Sequence, residues 1–235
     1  MNWQAAAIKP SERIIVALDL PTAEAALGLV KNLSPHAGLF KIGLQLYTAA
    51  GPEIVRAVRD LGGRIFLDLK LHDIPNTVGR AVESAGSLGV EMLTVHLSGG
   101  RTMIEAAVKA APTEMLLLGV TVLTSSDEST LRETGVTSSV EEQVVRLAQL
   151  GADCGVGGLV ASPLELSALR RALGAEIKIV TPGIRPASAA ANDQKRATTP
   201  AEALKGGADF LVIGRPITAA SDPRAALEQI VADAV

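Results

Sequence analysis

Residues 64–97 read RIFLDLKLHDIPNTVGRAVESAGSLGVEMLTVHL, and the order of patterns within them points to one architecture. The stretch opens on a short run of Ile, Phe and Leu, as in a strand covered on both faces. TVGRAVESAGSLG, residues 77–89, then has the spacing of a helix. VEMLTVHL, residues 90–97, is a second apolar run. Strand, helix and strand in that order build a parallel sheet sheathed by helices. Gly89 stands where the helix should end, a position that favours glycine as a C-terminal cap.

The alternation continues outward in both directions. Apolar runs recur at RIIVALDL (13–20), GLFKIGL (38–44), MLLLGVTVL (115–123), GLVAS (158–162), IKIVTPG (177–183) and FLVIGR (210–215). Helical stretches fall at 22–33, 51–62, 102–111, 139–151, 163–174, 199–207 and 222–235. Val140, Val144, Val145, Leu147 and Leu150 mark the apolar stripe of one of them. Gly62, Gly151 and Gly174 read as further helix ends. Eight strand–helix units in 235 residues, with no Pro/Ser-rich linker, predict an α/β protein. They predict one single-domain (β/α)8 TIM barrel over residues 1–235 rather than an open doubly wound sheet. One connection is long: GIRPASAAANDQKRATTP, residues 183–200, after the seventh strand, reads as a lid loop on the active face.

Composition narrows the function. With 48% hydrophobic residues and a net charge of −3, the chain supports a sizeable core and carries no excess of basic residues. Nucleic-acid and anionic-membrane binding are therefore not expected. No stretch of about 18 apolar residues is present, so no transmembrane helix is expected. The start, MNWQAAAIKPSER, lacks the apolar core of a signal peptide. A single cysteine, Cys154, allows no intrachain disulfide and reads as a small buried hydrophobe. The expected location is the reducing cytoplasm.

In a barrel the C-terminal ends of strands carry the chemistry. The strand ends here present Asp19, Lys41, Asp68 and Lys70, His96, Thr124 and Ser125, Gly183 and Arg185, and Gly214 and Arg215. Period-two alternation turns Ile65, Leu67 and Leu69 toward the helices, and Phe66, Asp68 and Lys70 into the barrel. Lys41 on the neighbouring strand reaches the same mouth. Each charge then has an opposite neighbour, an arrangement that offsets the cost of taking ions out of water. Asp73, before IPNT, is placed either to join this cluster or to cap the following helix. The glycine and guanidinium of VIGRPI, with Arg185 and Gln194, fit a phosphorylated ligand bound by the loops after strands seven and eight. Lys195 and Arg196 read as a solvated pair. Three scattered histidines, His36, His72 and His96, and one cysteine make no metal-ligand set. Walker and G-x-G-x-x-G loops are absent, which argues against nucleoside triphosphates and dinucleotides.

FLDLKLHDIPNT resembles the D-x-K-x-x-D-I-P-x-T signature of the orotidine 5′-phosphate decarboxylase family, in its short bacterial form. The resemblance runs over roughly residues 12–233 and includes VALDL, FKIGLQL, VTVLTS, TPGIRP and VIGRPI. It implies a cofactor-free, metal-free barrel that forms homodimers and converts orotidine 5′-monophosphate to uridine 5′-monophosphate and CO₂. This is the last step of de novo pyrimidine biosynthesis. It further implies that Lys41, Asp68, Lys70 and Asp73 form a Lys-Asp-Lys-Asp array in which Lys70 protonates C6. Asp19 and Lys41 would bind the ribose, and Thr124 the base. Arg185, Gln194, Gly214 and Arg215 would serve the lid and phosphate. Asp73 and Thr77 would act across the dimer interface. Two rivals remain: a Mg²⁺-dependent decarboxylase of the 3-keto-gulonate 6-phosphate type and a non-catalytic nucleotide-binding barrel. The first typically has a glutamate near the position of Lys41, and the second has no use for a proton donor.

Overall fold

The computed structural model describes residues 9–186 and 198–234. Its strands are β1 (Ile14–Ala17), β2 (Leu39–Gly43), β3 (Ile65–Leu71), β4 (Met92–His96), β5 (Leu116–Val120), β6 (Gly158–Val160), β7 (Lys178–Thr181) and β8 (Phe210–Ile213). Each pairs in parallel with the next, and β8 pairs with β1, which closes the barrel. The helices are α1 (Ala23–Leu33), α2 (Leu44–Ala50), α3 (Glu53–Asp60), α4 (Pro75–Ser87), α5 (Arg101–Ala110) and α6 (Glu128–Glu133). They continue with α7 (Val140–Asp153), α8 (Leu166–Leu173), α9 (Pro200–Lys205), α10 (Arg215–Thr218) and α11 (Pro223–Asp233). No helix among the described residues is long and apolar enough to cross a membrane.

The eight strands and the eight helical stretches of the sequence are all present. The short helices α2, α6 and α10 add to them; at seven, six and four residues they are too short to show a 3.6-residue period. Some of the strand-like runs overreach: β1 stops at Ala17, so Asp19 lies just past its end, and the fifth run overreaches further. Strand β5 stops at Val120, and Thr124 lies in the loop beyond it. Gly62, Gly89 and Gly174 take left-handed backbone at helix ends, as expected. Gly151 does not. It lies inside α7, where a β-carbon would come within 2.9 Å of the Leu97 side chain, and Gly155 takes the left-handed position instead. Close packing, not chain reversal, requires that glycine.

Alternation divides the core in two. Ile15, Ala17, Leu39, Phe66, Met92, Leu118, Val180, Phe210 and Val212 fill the barrel interior. Their neighbours Ile14, Val16, Phe40, Ile65, Leu67, Leu93 and Leu211 face the helices. Continuing the inward ladder by two residues brings Asp19, Lys41, Asp68, Thr94 and Gly214 to the C-terminal mouth.

The opposite, N-terminal face is latched by carboxylates. Glu91 accepts from the Ile65 amide at 2.6 Å, and its own amide donates to the Ile65 carbonyl. Asp209 repeats the pattern on Ile179 at 2.8 Å. Asp209 also pairs with Arg170 at 2.6 Å and with Lys178 at 3.5 Å. Arg170 in turn donates to the carbonyls of Gly174, Ile177 and Gly207. Asp209→Ala leaves the Arg170 guanidinium and the Ile179 amide short of an acceptor. It is expected to cost about 2–4 kcal/mol. Urea unfolding should show it as a lower midpoint at unchanged slope. Arg80→Ala, which breaks only the exposed Arg80–Glu83 pair, is the control and should cost under about 0.5 kcal/mol.

Candidate active site

A cavity of about 310 Å³ opens at the C-terminal ends of the strands. Its walls differ. Asp19, Lys41, Asp68 and Lys70 form a charged side supplied by β1, β2 and β3 and their ends. Val120, Val122, Leu123, Val160, Pro182 and Val212 form an apolar side supplied by β5 to β8 and their loops. Ala17, Phe66, Thr124, Gly183 and Gly214 complete the lining. A ligand that suits both walls has an apolar body and charged or hydroxylated edges.

The charged wall is a chain of ion pairs. Lys41 Nζ lies 2.9 Å from Asp19 Oδ1 and 3.9 Å from Asp68 Oδ2. Lys70 Nζ lies 2.7 Å from the same Asp68 oxygen. Asp68 is buried, so its charge depends on these partners. Its other oxygen accepts the Thr94 hydroxyl at 3.0 Å. Gly43 makes room for the first pair: a β-carbon there would sit 3.0 Å from Lys41 Nζ and 3.4 Å from Asp19 Oδ1.

Strict alternation along β3 ends at Asp68. Leu67 pairs with Leu93 and Leu71 with Val95, so Asp68, Leu69 and Lys70 run opposite Thr94 alone. Lys70 takes φ +50°, the left-handed region, and is the only non-glycine residue to do so among those described. Such a backbone is unfavourable for a residue with a β-carbon and clusters at functional sites. The two side chains meet as alternation predicts, but through a bulge rather than a regular strand.

The remaining expected residues divide clearly. Asp73 is exposed and its Oδ1 accepts from the Ile74 amide at 2.6 Å. It does not line the cavity and makes no ion pair among the described residues. It does not cap α4 either: Ile74 occupies that position without a side-chain cap, and Pro75 follows. Thr77 is exposed on the first turn of α4. Arg215 begins α10 and is exposed. Arg185 donates its amide to the Thr198 carbonyl at 3.2 Å, and Ile184 bridges Thr198, so the two ends of the long connection are tied together. Gln194, Lys195 and Arg196 lie outside the described residues.

Three features escaped the sequence. Thr94 is one; a lone hydroxyl on the inward parity of an apolar strand was the available signal. Gly43 is another, since only the packed pair explains it. The third is a contact of His72 with His96, ring centres 5.4 Å apart, beside Lys70. Burial, with the neighbouring His72 and Lys70, lowers the His96 pKa from its ordinary 6.5 and so favours the neutral ring. Among the described residues no three His, Cys, Asp or Glu side chains are placed to hold a metal ion.

Comparison with known proteins agrees with this geometry. Residues 12–230 match the family described as orotidine 5′-phosphate decarboxylase / HUMPS. The orotidine 5′-phosphate decarboxylase of Opitutus terrae is 56% identical over 224 residues, which cover 94% of this chain and 97% of that one. That of Moorella thermoacetica is 53% identical over 231 residues, covering 94% and 92%. The crystal structure of the Lactobacillus acidophilus enzyme superposes with a TM-score of 0.83 at 39% identity, covering 94% of this chain and 98% of that one. A closed parallel barrel, an alternating ion chain at its mouth and this similarity along the chain's length lead to one conclusion: the chain belongs to the orotidine 5′-phosphate decarboxylase family.

Proposed function

We propose that the protein converts orotidine 5′-monophosphate to uridine 5′-monophosphate and CO₂, closing de novo pyrimidine biosynthesis in the cytoplasm. The observation that carries the reading is the Asp19–Lys41–Asp68–Lys70 chain facing an apolar wall across the cavity. In the reaction the bond from C6 to the carboxylate breaks, its electron pair stays on C6, and CO₂ leaves. The carbanion has no adjacent π system to spread into. A fixed cation beside it is therefore the means of stabilisation. Lys70 Nζ supplies that charge and then its proton, which becomes the C6 hydrogen. The neutral amine regains a proton from water. Asp68, next to Lys70, faces the substrate carboxylate and favours its departure.

Other residues bind. Asp19 and Lys41 take the ribose hydroxyls, and Thr124 contacts the base at the mouth. Arg185, Gln194, Gly214 and Arg215 hold the phosphate end, and residues 183–200 act as a lid. Binding energy from the remote phosphate then drives closure over the charged wall. Asp73 and Thr77 complete the site of a second copy in a homodimer. Two observations support this: neither lines the cavity of its own chain, and Ile74 between them is 66% exposed, an apolar side chain that association would cover.

The assay is direct. Purified protein should remove the ultraviolet absorbance of orotidine 5′-monophosphate without added metal, at the same rate in EDTA. A strict requirement for Mg²⁺ would hand the site to the sugar-phosphate type of decarboxylase instead.

A further inference from the structure

We propose that Thr94 is a positioning residue that aims Lys70, by holding the Lys70 backbone and the Asp68 carboxylate with a single hydroxyl. The inference rests on the assignment of Lys70 and Asp68 to the chemistry. Thr94 is fully buried at the middle of β4, on the inward ladder above Met92. Its Oγ1 accepts from the Lys70 amide at 2.9 Å and donates to Asp68 Oδ1 at 3.0 Å. The direction is not interchangeable. An amide can only donate and a carboxylate can only accept, so the one hydroxyl hydrogen goes to Asp68.

Each contact has a geometric consequence. The bulge in β3 carries the Lys70 amide out of the regular ladder, because three residues pass where β4 offers one. The Thr94 oxygen takes the place of the missing carbonyl acceptor. Without it, nothing on β4 offsets the left-handed backbone of Lys70, and the residue is free to relax toward ordinary extended backbone. That relaxation swings the ammonium. The second contact holds Asp68 Oδ1, which leaves Oδ2 turned toward Lys41 and Lys70. One hydroxyl thus fixes both ends of the 2.7 Å ion pair from behind, without reaching the cavity lining. The groups assigned to ribose and phosphate come from other strands and loops. Loss of the clamp should therefore harm the chemical step far more than binding.

Thr94→Val keeps the shape and burial and removes both hydrogen bonds. We expect kcat to fall about 10²-fold, the cost of a misplaced catalytic group, with KM within about threefold of wild type. Thr94→Ser keeps the hydroxyl and should hold kcat within about threefold of wild type. Thr94→Ala, which cannot clash, must fall as far as the Val variant and replaces it if that chain does not fold. Thermal midpoints identify the folded variants. A folded Val or Ala variant with wild-type kcat overturns the proposal, as does a Ser variant as slow as they are. Failure of both Val and Ala variants to fold would assign Thr94 to the fold alone and overturn it too. Lys70→Ala in the same assay separates the two readings. If that variant turns over, the role of Lys70 falls; if it is inactive while Thr94→Val is not, only the clamp falls.

Discussion

Lys70→Ala is expected to lower kcat by about 10⁴-fold or more, while a uridine-phosphate analogue still binds. Two losses combine. A positioned proton donor contributes about 10²–10⁴-fold, and a fixed charge at the developing anion about 10²–10³-fold. They belong to one side chain and do not simply multiply. The fold should tolerate the change, because the Lys70 side chain is partly exposed and Asp68 keeps Lys41 at 3.9 Å and the Thr94 hydroxyl at 3.0 Å. Phosphate and ribose groups are untouched, so analogue affinity should stay within about tenfold, or about 1.4 kcal/mol. Single-turnover kinetics together with titration of the analogue check both halves. Turnover within tenfold of wild type would remove Lys70 from the role of donor.

Asp73 offers the second large effect. Asp73→Ala alone should lower kcat/KM by about 10²-fold or more, as expected for a charged group in the closed site. Yet Asp73 does not line the cavity of its own chain. The expectation is therefore a trans effect. In a two-fold symmetric dimer each site would take Lys70 from one chain and Asp73 from the other. A dimer of one Asp73→Ala chain and one Lys70→Ala chain holds one intact site and one doubly damaged site. Random exchange of two nearly inactive proteins should then restore roughly a quarter of wild-type activity. Subunit exchange is verified separately with differently tagged chains. Exchange without recovery would place both groups in the same chain's site and contradict the shared arrangement.

Much of the fold was legible because burial leaves a periodic imprint. Ile65 and Leu67 face the helices while Phe66 and Asp68 face the interior, as period two requires. The gathering of Asp19, Lys41, Asp68 and Lys70 followed from the same parity plus the rule that strand ends meet at the barrel mouth. Where the pattern was too short or a residue had two uses, the reading slipped. Helix α10 spans four residues and shows no period. Gly151 resembled a cap, but it clears space for Leu97. Asp73 was placed equally well to cap α4, and the chain caps that helix at Ile74 instead.

Residue spacing alone, then, encodes the alternation of apolar strand and amphipathic helix, its eightfold count, and which charges stand at strand ends. Each is a local property, written in the spacing of side chains along one segment. How neighbouring segments meet is a property of the folded barrel. The left-handed backbone of Lys70 depends on the register of β3 against β4. The clamp by Thr94 joins residues 24 and 26 positions apart in the chain. The room at Gly43 matters only because Lys41 and Asp19 close their pair above it. Register and close approach arise from pairing between distant segments, and no periodicity within one segment encodes them.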